Sequence, residues 1–164
     1  MACTSSTARL RNGWRLCGVG LACLLAGAWL PLHGAPQTLP LQGTTWQLVG
    51  LQSMDDAQGL RRPAQPSRYT LTLQADGRAV LQLDCNRAMG TWRVEPSAEV
   101  SNGGFRFGPL ASTRAFCPSP SLGEPLARQL PYVRGYLLRD GRLHLSLLAD
   151  GGTLIWEPRA ERRP

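Results

Sequence analysis

The chain has 164 residues and lacks lysine altogether, so all 18 of its basic residues are arginine. Charged residues make up only 18% of the sequence and hydrophobic residues 43%. This composition excludes a disordered polyelectrolyte and a multi-span membrane protein, and the length is that of one domain. Histidine is scarce as well, because His144 is the only one after His33. Since the cysteine spacing also matches no zinc pattern, we predict no metal site.

Motifs of catalysis are equally scarce. No serine lies in a Gly-x-Ser-x-Gly pattern and no glycine-rich loop precedes a helix, so we predict no cofactor. Cys85, Asn86 and His144 supply the residue types of a cysteine nucleophile with its base and orienting group. The alternation of Leu143 and Leu145 around His144, however, turns this histidine toward solvent, and a disulfide would consume the thiol of Cys85. We predict that the protein is not an enzyme.

The first 35 residues have the pattern of a Sec-type secretory signal peptide. Three arginines precede a stretch at 16–32 that carries no charge, and small residues favour cleavage after Ala28 or Gly34. The stretch is short for a membrane span, so we expect the leader to be cleaved. The alternative is an uncleaved leader, which would attach the protein to the membrane. Cys23 lies inside the apolar stretch without a leucine three positions before it, which argues against a lipoprotein. The sequence predicts a periplasmic or secreted protein of the bacterial envelope.

Without this leader, the chain carries 15 arginines and 11 acidic residues, a net charge of +4. Such a charge is ordinary for a soluble surface, and attraction to an anionic envelope partner is the alternative. Two cysteines remain, Cys85 and Cys117. An even cysteine count in an exported protein favours a disulfide, which would stabilise a loop of about 33 residues by roughly 3–4 kcal/mol. Two buried thiols that lie near each other are the alternative.

Alternation of apolar and polar residues predicts strands over most of the remaining chain. Strand-forming runs occupy residues 44–51, 69–73, 79–83, 91–95, 105–107, 136–138, 143–147 and 153–156. Three Asp-Gly pairs, which begin at Asp76, Asp140 and Asp150, and one Asn-Gly pair at Asn102 predict tight turns between strands. We therefore expect an antiparallel meander of seven or eight strands. Because open sheet edges invite aggregation, a small barrel-like sheet is favoured.

One segment, residues 121–131, changes to helical spacing. Ser121 and Glu124 have the spacing of a capping box, and Leu126 and Leu130 follow at helical intervals, with Pro131 at the end. The predicted fold is mainly β, or α+β by content, with one inserted short helix. Residues 36–43 form a lead-in, residues 44–158 a single domain, and residues 159–164 a basic tail.

The same alternation predicts which side chains face the interior. The predicted inward set is Trp46, Leu71, Leu73, Trp92, Phe105, Phe107, Leu145 and Trp156. Arg93 and Arg106 alternate with aromatic residues and are expected to face outward. Strand alternation alone explains this spacing, so we predict no nucleic-acid partner. Asp84 is expected to form a local ion pair with Arg87 or Arg93.

Several motifs, in order, resemble those of the META domain family over about residues 41–158. The family's opening element is matched by Gly43-Thr44-Thr45-Trp46-Gln47-Leu48, its Gly-Cys-Asn-Arg motif by Cys85-Asn86-Arg87 with Gly90 and Trp92, and its Thr-x-Met-Ala-Cys-Pro segment by Thr113, Cys117 and Pro118. Asp84 stands where the family has glycine before the cysteine. Ala115-Phe116 stands in place of Met-Ala, and Leu81 at a position often held by glycine.

The resemblance implies a small barrel-like domain, secreted or attached to the envelope, that is linked to stress tolerance and has no catalytic residue. It also implies that Asn86 and Thr113 are buried hydrogen-bonding residues. If the position before Cys85 needs a positive φ, aspartate is among the better substitutes for glycine. We expect a monomer that binds an envelope partner. The alternatives are a barrel that binds a small ligand and an inhibitor of an envelope-directed hydrolase, for which only Asp55-Asp56 offers an acidic loop.

Overall fold

The computed structural model describes residues 40–55, 57 and 59–159. The predicted leader with its cleavage sites, the first part of the lead-in and the tail after Arg159 lie outside these residues. Within the described part of the chain, no helix is both long and apolar enough to cross a membrane.

The described residues form ten strands, one α-helix and two 3-10 turns. The strands are β1 (Thr44–Gln52), β2 (Leu60–Arg61), β3 (Tyr69–Leu73), β4 (Arg78–Leu83), β5 (Asn86–Pro96), β6 (Asn102–Phe107), β7 (Ala111–Ser112), β8 (Val133–Arg139), β9 (Arg142–Leu147) and β10 (Thr153–Pro158). The helix α1 spans Gly123–Gln129, and the 3-10 turns span Pro66–Arg68 and Leu130–Tyr132.

Eight of these strands close into an antiparallel barrel. Their order is β1-β3-β4-β5-β6-β8-β9-β10, and β10 pairs back onto β1. The two-residue strands stand outside this order, β2 beside β1 and β7 beside β5. The prediction of a mainly β, barrel-like fold with one short helix is confirmed.

The barrel interior is built from the predicted inward side chains. All of them are buried except Phe107, which is only partly covered. Trp92 stacks on Phe105 with ring centroids 6.1 Å apart, and Phe105 meets Phe107 edge-on at 4.9 Å. Leu126 and Leu130 add the apolar face of the helix to this core. Arg93 and Arg106 are exposed, as their alternation predicts.

The predicted turns are only partly correct. Asp140 and Gly141 both have positive φ, 52° and 71°, and link β8 to β9 in two residues, as the Asp-Gly preference predicts. The prediction of a turn at Asn102-Gly103 is wrong, because both residues belong to β6. Gly103 lies opposite Pro96, and a Cβ there would overlap the Glu95 carbonyl oxygen. This glycine permits a close approach of strands and does not make a turn.

The helix begins at Gly123, two residues after Ser121, and the expected capping box does not form. The Ser121 hydroxyl accepts a hydrogen bond from the Gly123 N–H at 3.2 Å, while Glu124 pairs with Arg128 at 2.9 Å. A Cβ on Gly123 would lie 2.5 Å from the Leu83 carbonyl oxygen. The start of the helix therefore packs closely against β4, and no capping box defines where the helix begins.

Candidate binding groove

The barrel wall is opened between β6 and β8. These strands pair only over Asn102–Gly104 and Gly135–Leu137. Farther along, β7 continues the line of β6 beside β5, with Ala111 opposite Met89. The helix and the 3-10 turn come immediately before β8 in the chain. An open groove therefore separates the 107–116 segment from α1.

We call this space the binding groove; its volume is about 990 Å³. Its buried and half-buried lining is mainly apolar, and most of its polar side chains lie among the exposed residues, which we call the rim. The apolar members are Leu83, Ala88, Phe107, Pro109, Leu110, Ala127, Leu130 and Pro131, together with the exposed ring of Phe116. The polar side chains are Asn86, Ser112, Thr113, Arg114, Glu124 and Arg128.

A disulfide fixes one wall of the groove to the barrel. Cys85 and Cys117 are bonded, with their Cα atoms 5.7 Å apart, so the predicted disulfide is present. Cys85 lies in the turn between β4 and β5, and Cys117 lies in the segment that leads to α1. Cys85 is exposed and Cys117 half-buried. The bond therefore acts as a surface tie between a barrel turn and the groove wall.

The Asn86 side chain makes a second tie to the same wall. Its amide nitrogen donates to the Ala115 carbonyl at 2.8 Å, and its amide oxygen accepts from the Ala115 N–H at 2.7 Å and the Thr113 hydroxyl at 2.8 Å. Asparagine presents a donor and an acceptor together, as a backbone peptide does. Asn86 is half-buried and Thr113 exposed, so the expectation that both are buried is wrong. The wall they hold is itself at the surface.

The turn before Asn86 carries the departure from the family's glycine. Asp84 has φ +66°, in the left-handed region where glycine is favoured and aspartate is tolerated. Its buried carboxylate lies 2.7 Å from the Arg68 guanidinium, and its N–H donates to the Arg68 carbonyl at 2.9 Å. The expected pairing of Asp84 with Arg87 or Arg93 is wrong. Those arginines lie on β5, whereas Arg68 immediately precedes β3, the other neighbour of β4.

The remaining motif residues hold the fold around the groove or lie away from it. A Cβ on Gly90 would overlap the Pro109 carbonyl oxygen, so glycine lets the 108–110 segment lie against β5. Trp46 is buried in the barrel, where its indole N–H donates to the Thr44 hydroxyl at 2.7 Å. Arg87 is exposed, and its backbone N–H donates to the Thr113 hydroxyl at 3.0 Å. None of the three lines the groove.

His144 also lies elsewhere. It is half-buried on β9, opposite Leu137 of β8 and Ile155 of β10. Partial burial lowers its pKa below the usual value, and the charges of Arg142 and Arg139 lower it further, while Asp140 opposes this shift. Because Cys85 is in a disulfide, it offers no thiolate to which a histidine could act as base.

Sequence reasoning assigned no binding role to several residues that line the groove. Arg114 and Phe116 lie on one wall and Ala127 on the other. The signal present in the sequence was the break in alternation at Gly108-Pro109, which separates β7 from β6. Nothing local indicated that α1 would lie across from this break, since that contact joins segments distant in the chain.

The fold and the ties around the groove define a small, disulfide-bonded β-barrel domain with one helix. The META domain family model matches residues 39–161, and the chain belongs to that family. It is similar to a protein from Burkholderia xenovorans, known from an NMR structure, with 25% identity over 74% of this chain and 85% of the other, and a TM-score of 0.57.

A second structural match shows the same fold at lower sequence similarity. It is a crystal structure of a duf4847 family protein from Bacteroides vulgatus, 12% identical, with a TM-score of 0.51 over 74% of this chain and 96% of the other. No curated protein matches the chain.

Proposed function

We propose that the protein is an exported, non-enzymatic binding protein of the bacterial envelope, linked to stress tolerance, and that the binding groove is where it meets its partner. The observation that carries this proposal is the groove itself. It combines a mainly apolar buried lining with exposed polar side chains, an arrangement typical of ligand sites. Its wall is held by a disulfide and by the Asn86 side chain, so the site is organised before any partner arrives.

Two observations support export. Disulfides form and persist in oxidising compartments such as the bacterial periplasm, and this chain has the Cys85–Cys117 bond at its surface. The first 35 residues carry the basic and apolar segments of a secretory leader. Both features are expected of a protein that folds after crossing the inner membrane.

The groove is a better binding site than the barrel interior. Leucines and aromatic residues without solvent exposure occupy that interior, among them Trp156, Phe105 and Leu145. A ligand there would have to displace close-packed side chains, whereas the groove is open to solvent. For a hydrolase inhibitor, Asp55 is the only described residue of the acidic pair, and it lies outside the groove.

The first test is native mass spectrometry of the protein released gently from the periplasm. We expect a chain that lacks its leader and two cysteine hydrogens. A full-length chain found in the cytoplasm would overturn the export part of the proposal.

The second test asks whether the groove carries the function. Ala127→Trp places an indole in the groove, while Met89→Trp, on an exposed residue outside it, is the matched control. Each variant is returned to a strain that lacks the protein, and survival after heat or osmotic shock is measured. We expect Ala127→Trp to fail to restore survival and Met89→Trp to restore it. Equal restoration by both folded variants would contradict a role for the groove.

A further inference from the structure

The groove wall includes a strand edge that no other strand covers. β7 pairs with β5 on one side, and among the described residues it has no partner strand on the other. On that open side the groove separates it from α1. An uncovered edge presents backbone N–H and C=O groups in the spacing that a further strand would match.

The hydrogen bonds of this wall indicate which backbone N–H and C=O groups could pair with an added strand. The Thr113 N–H donates to the Arg87 carbonyl at 3.0 Å, so the backbone of Thr113 faces β5. In an antiparallel pair, successive residues direct their backbone groups to opposite sides. The N–H and C=O of Ser112 and Arg114 therefore point away from β5. Within the described part of the chain, the Arg114 N–H has no hydrogen-bond acceptor.

The charges on the rim favour one kind of partner. Arg128 is paired with Glu124 at 2.9 Å. Arg114 has no carboxylate within 4.0 Å among the described residues. The rim therefore keeps one uncompensated positive charge beside the open edge.

The apolar side chains along the same edge add a second preference. Phe116 is 92% exposed at the end of the wall, and Leu110 and Ala127 lie inside the groove. A strand laid on the edge would direct alternate side chains toward this apolar surface.

We propose that the groove binds an extended peptide segment of a partner protein, which adds a strand to β7. The main chain of the segment bonds to Ser112 and Arg114, an apolar side chain enters beside Leu110, and an acidic residue pairs with Arg114. This is the mode of recognition by strand addition, in which backbone bonds supply affinity and alternate side chains supply specificity. The inference rests on the proposed function, because it names the chemistry of the partner for the same groove.

The test begins with a displayed library of random nine-residue peptides, selected on the oxidised mature protein. We expect enriched peptides to alternate apolar and polar residues and to contain Asp or Glu. The consensus peptide is then synthesised and its Kd measured by fluorescence anisotropy. Two further versions carry N-methyl groups on one or the other set of alternate backbone amides. Methylation of the set that faces β7 blocks strand pairing without altering the side chains.

Three variants separate backbone from side-chain recognition. Ser112→Pro removes an N–H that faces the groove, and Ser112→Ala retains it. We expect Ser112→Pro to raise Kd at least about tenfold and Ser112→Ala to change it less than about twofold, since a tenfold change corresponds to about 1.4 kcal/mol. Arg114→Glu should weaken the acidic peptide by about tenfold and favour a lysine version of it. The N-methylated peptides decide the backbone question even if Ser112→Pro does not fold.

The inference is overturned if no peptide is enriched, or if Kd stays unchanged for both N-methylated versions, since methylation of the set of amides that faces β7 must weaken binding. Decanoate serves as an apolar anion without a peptide backbone. If decanoate binds in the groove, is blocked by Ala127→Trp, and no peptide is enriched, the groove is a binding site and strand addition is wrong. If Ala127→Trp restores stress survival as well as Met89→Trp does, the proposed function itself fails.

Discussion

The two sides of the barrel are held together by different means. On the closed side, β1 and β10 pair along Trp46–Gln52 and Thr153–Pro158, and β8 and β9 pair along almost their whole length. On the open side, β6 and β8 share only the pairs at Asn102–Gly104. Where backbone pairing ends, a disulfide and the Asn86 amide hold the chain instead. The barrel wall therefore leaves a groove, and a covalent bond and side-chain hydrogen bonds hold the segment that borders it.

Two of the three family motifs lie on the open side, whereas the opening element belongs to β1 on the closed side. Cys85, Asn86 and Thr113 all serve the open side, and Gly90 admits the adjacent segment. The closed side is built from a repeating apolar pattern that many sequences can satisfy. A disulfide and side-chain hydrogen bonds need particular residues, because each sulfur, donor or acceptor must lie next to one specific partner atom.

The largest loss of stability is expected from a substitution in the core of the closed side. Trp156 is fully buried, so Trp156→Ala should lower the free energy of unfolding by about 3–5 kcal/mol. Its indole N–H has no hydrogen-bond partner in the described structure. Trp156→Phe should therefore cost less than half as much. Urea unfolding of the three proteins measures both values, and equal losses would show that the indole N–H matters more than the volume.

The second largest loss of stability is expected when the disulfide of the open side is removed. The double substitution Cys85→Ser with Cys117→Ser should lower the free energy of unfolding by about 3–4 kcal/mol, because the unfolded chain regains the freedom of the loop. Dithiothreitol should destabilise the native protein by a similar amount and leave the double variant unchanged. Unfolding curves with and without the reductant make the comparison. A native protein indifferent to dithiothreitol would contradict the role of the bond.

A smaller effect is expected from the side-chain tie. Asn86→Ala removes the bonds to Thr113 and Ala115 and should cost about 1–3 kcal/mol. Asn86→Asp keeps the acceptor and loses the donor, so its cost should be intermediate. Hydrogen exchange should become faster at residues 111–117 while β1 and β10 remain protected. Uniformly faster exchange over the whole barrel would show that the two sides are not independent.

The smallest effect concerns pH. The folded state lowers the pKa of His144, chiefly by burial. The unfolded chain therefore binds a proton more readily, and stability should fall as pH drops below the ordinary histidine pKa of 6.5 toward the lower folded value. His144→Gln should remove this part of the pH dependence. The check is the urea midpoint of both proteins between about pH 5 and 8; parallel profiles would refute the assignment.

Much of the fold is predictable from local patterns, while the site is not. Alternation places Leu71, Trp92 and Leu145 inside correctly, and the even cysteine count indicates the disulfide. The Asp84 carboxylate, in contrast, follows β4 and pairs with Arg68 at the adjacent end of β3, and not with the arginines that follow it on β5. An ion pair depends on where strands lie side by side, which residue spacing along one strand does not specify.

The sequence by itself determined the eight strands of the barrel, the apolar set that fills it and the cysteines that form its single described disulfide, because period-two alternation and chain chemistry act over a few residues. Only the tertiary structure decided that β10 closes on β1, that β6 leaves β8 after Gly104, and that α1 lies across a groove from β7. These arrangements join segments far apart in the chain, and their energies arise from packing between elements that no local pattern records.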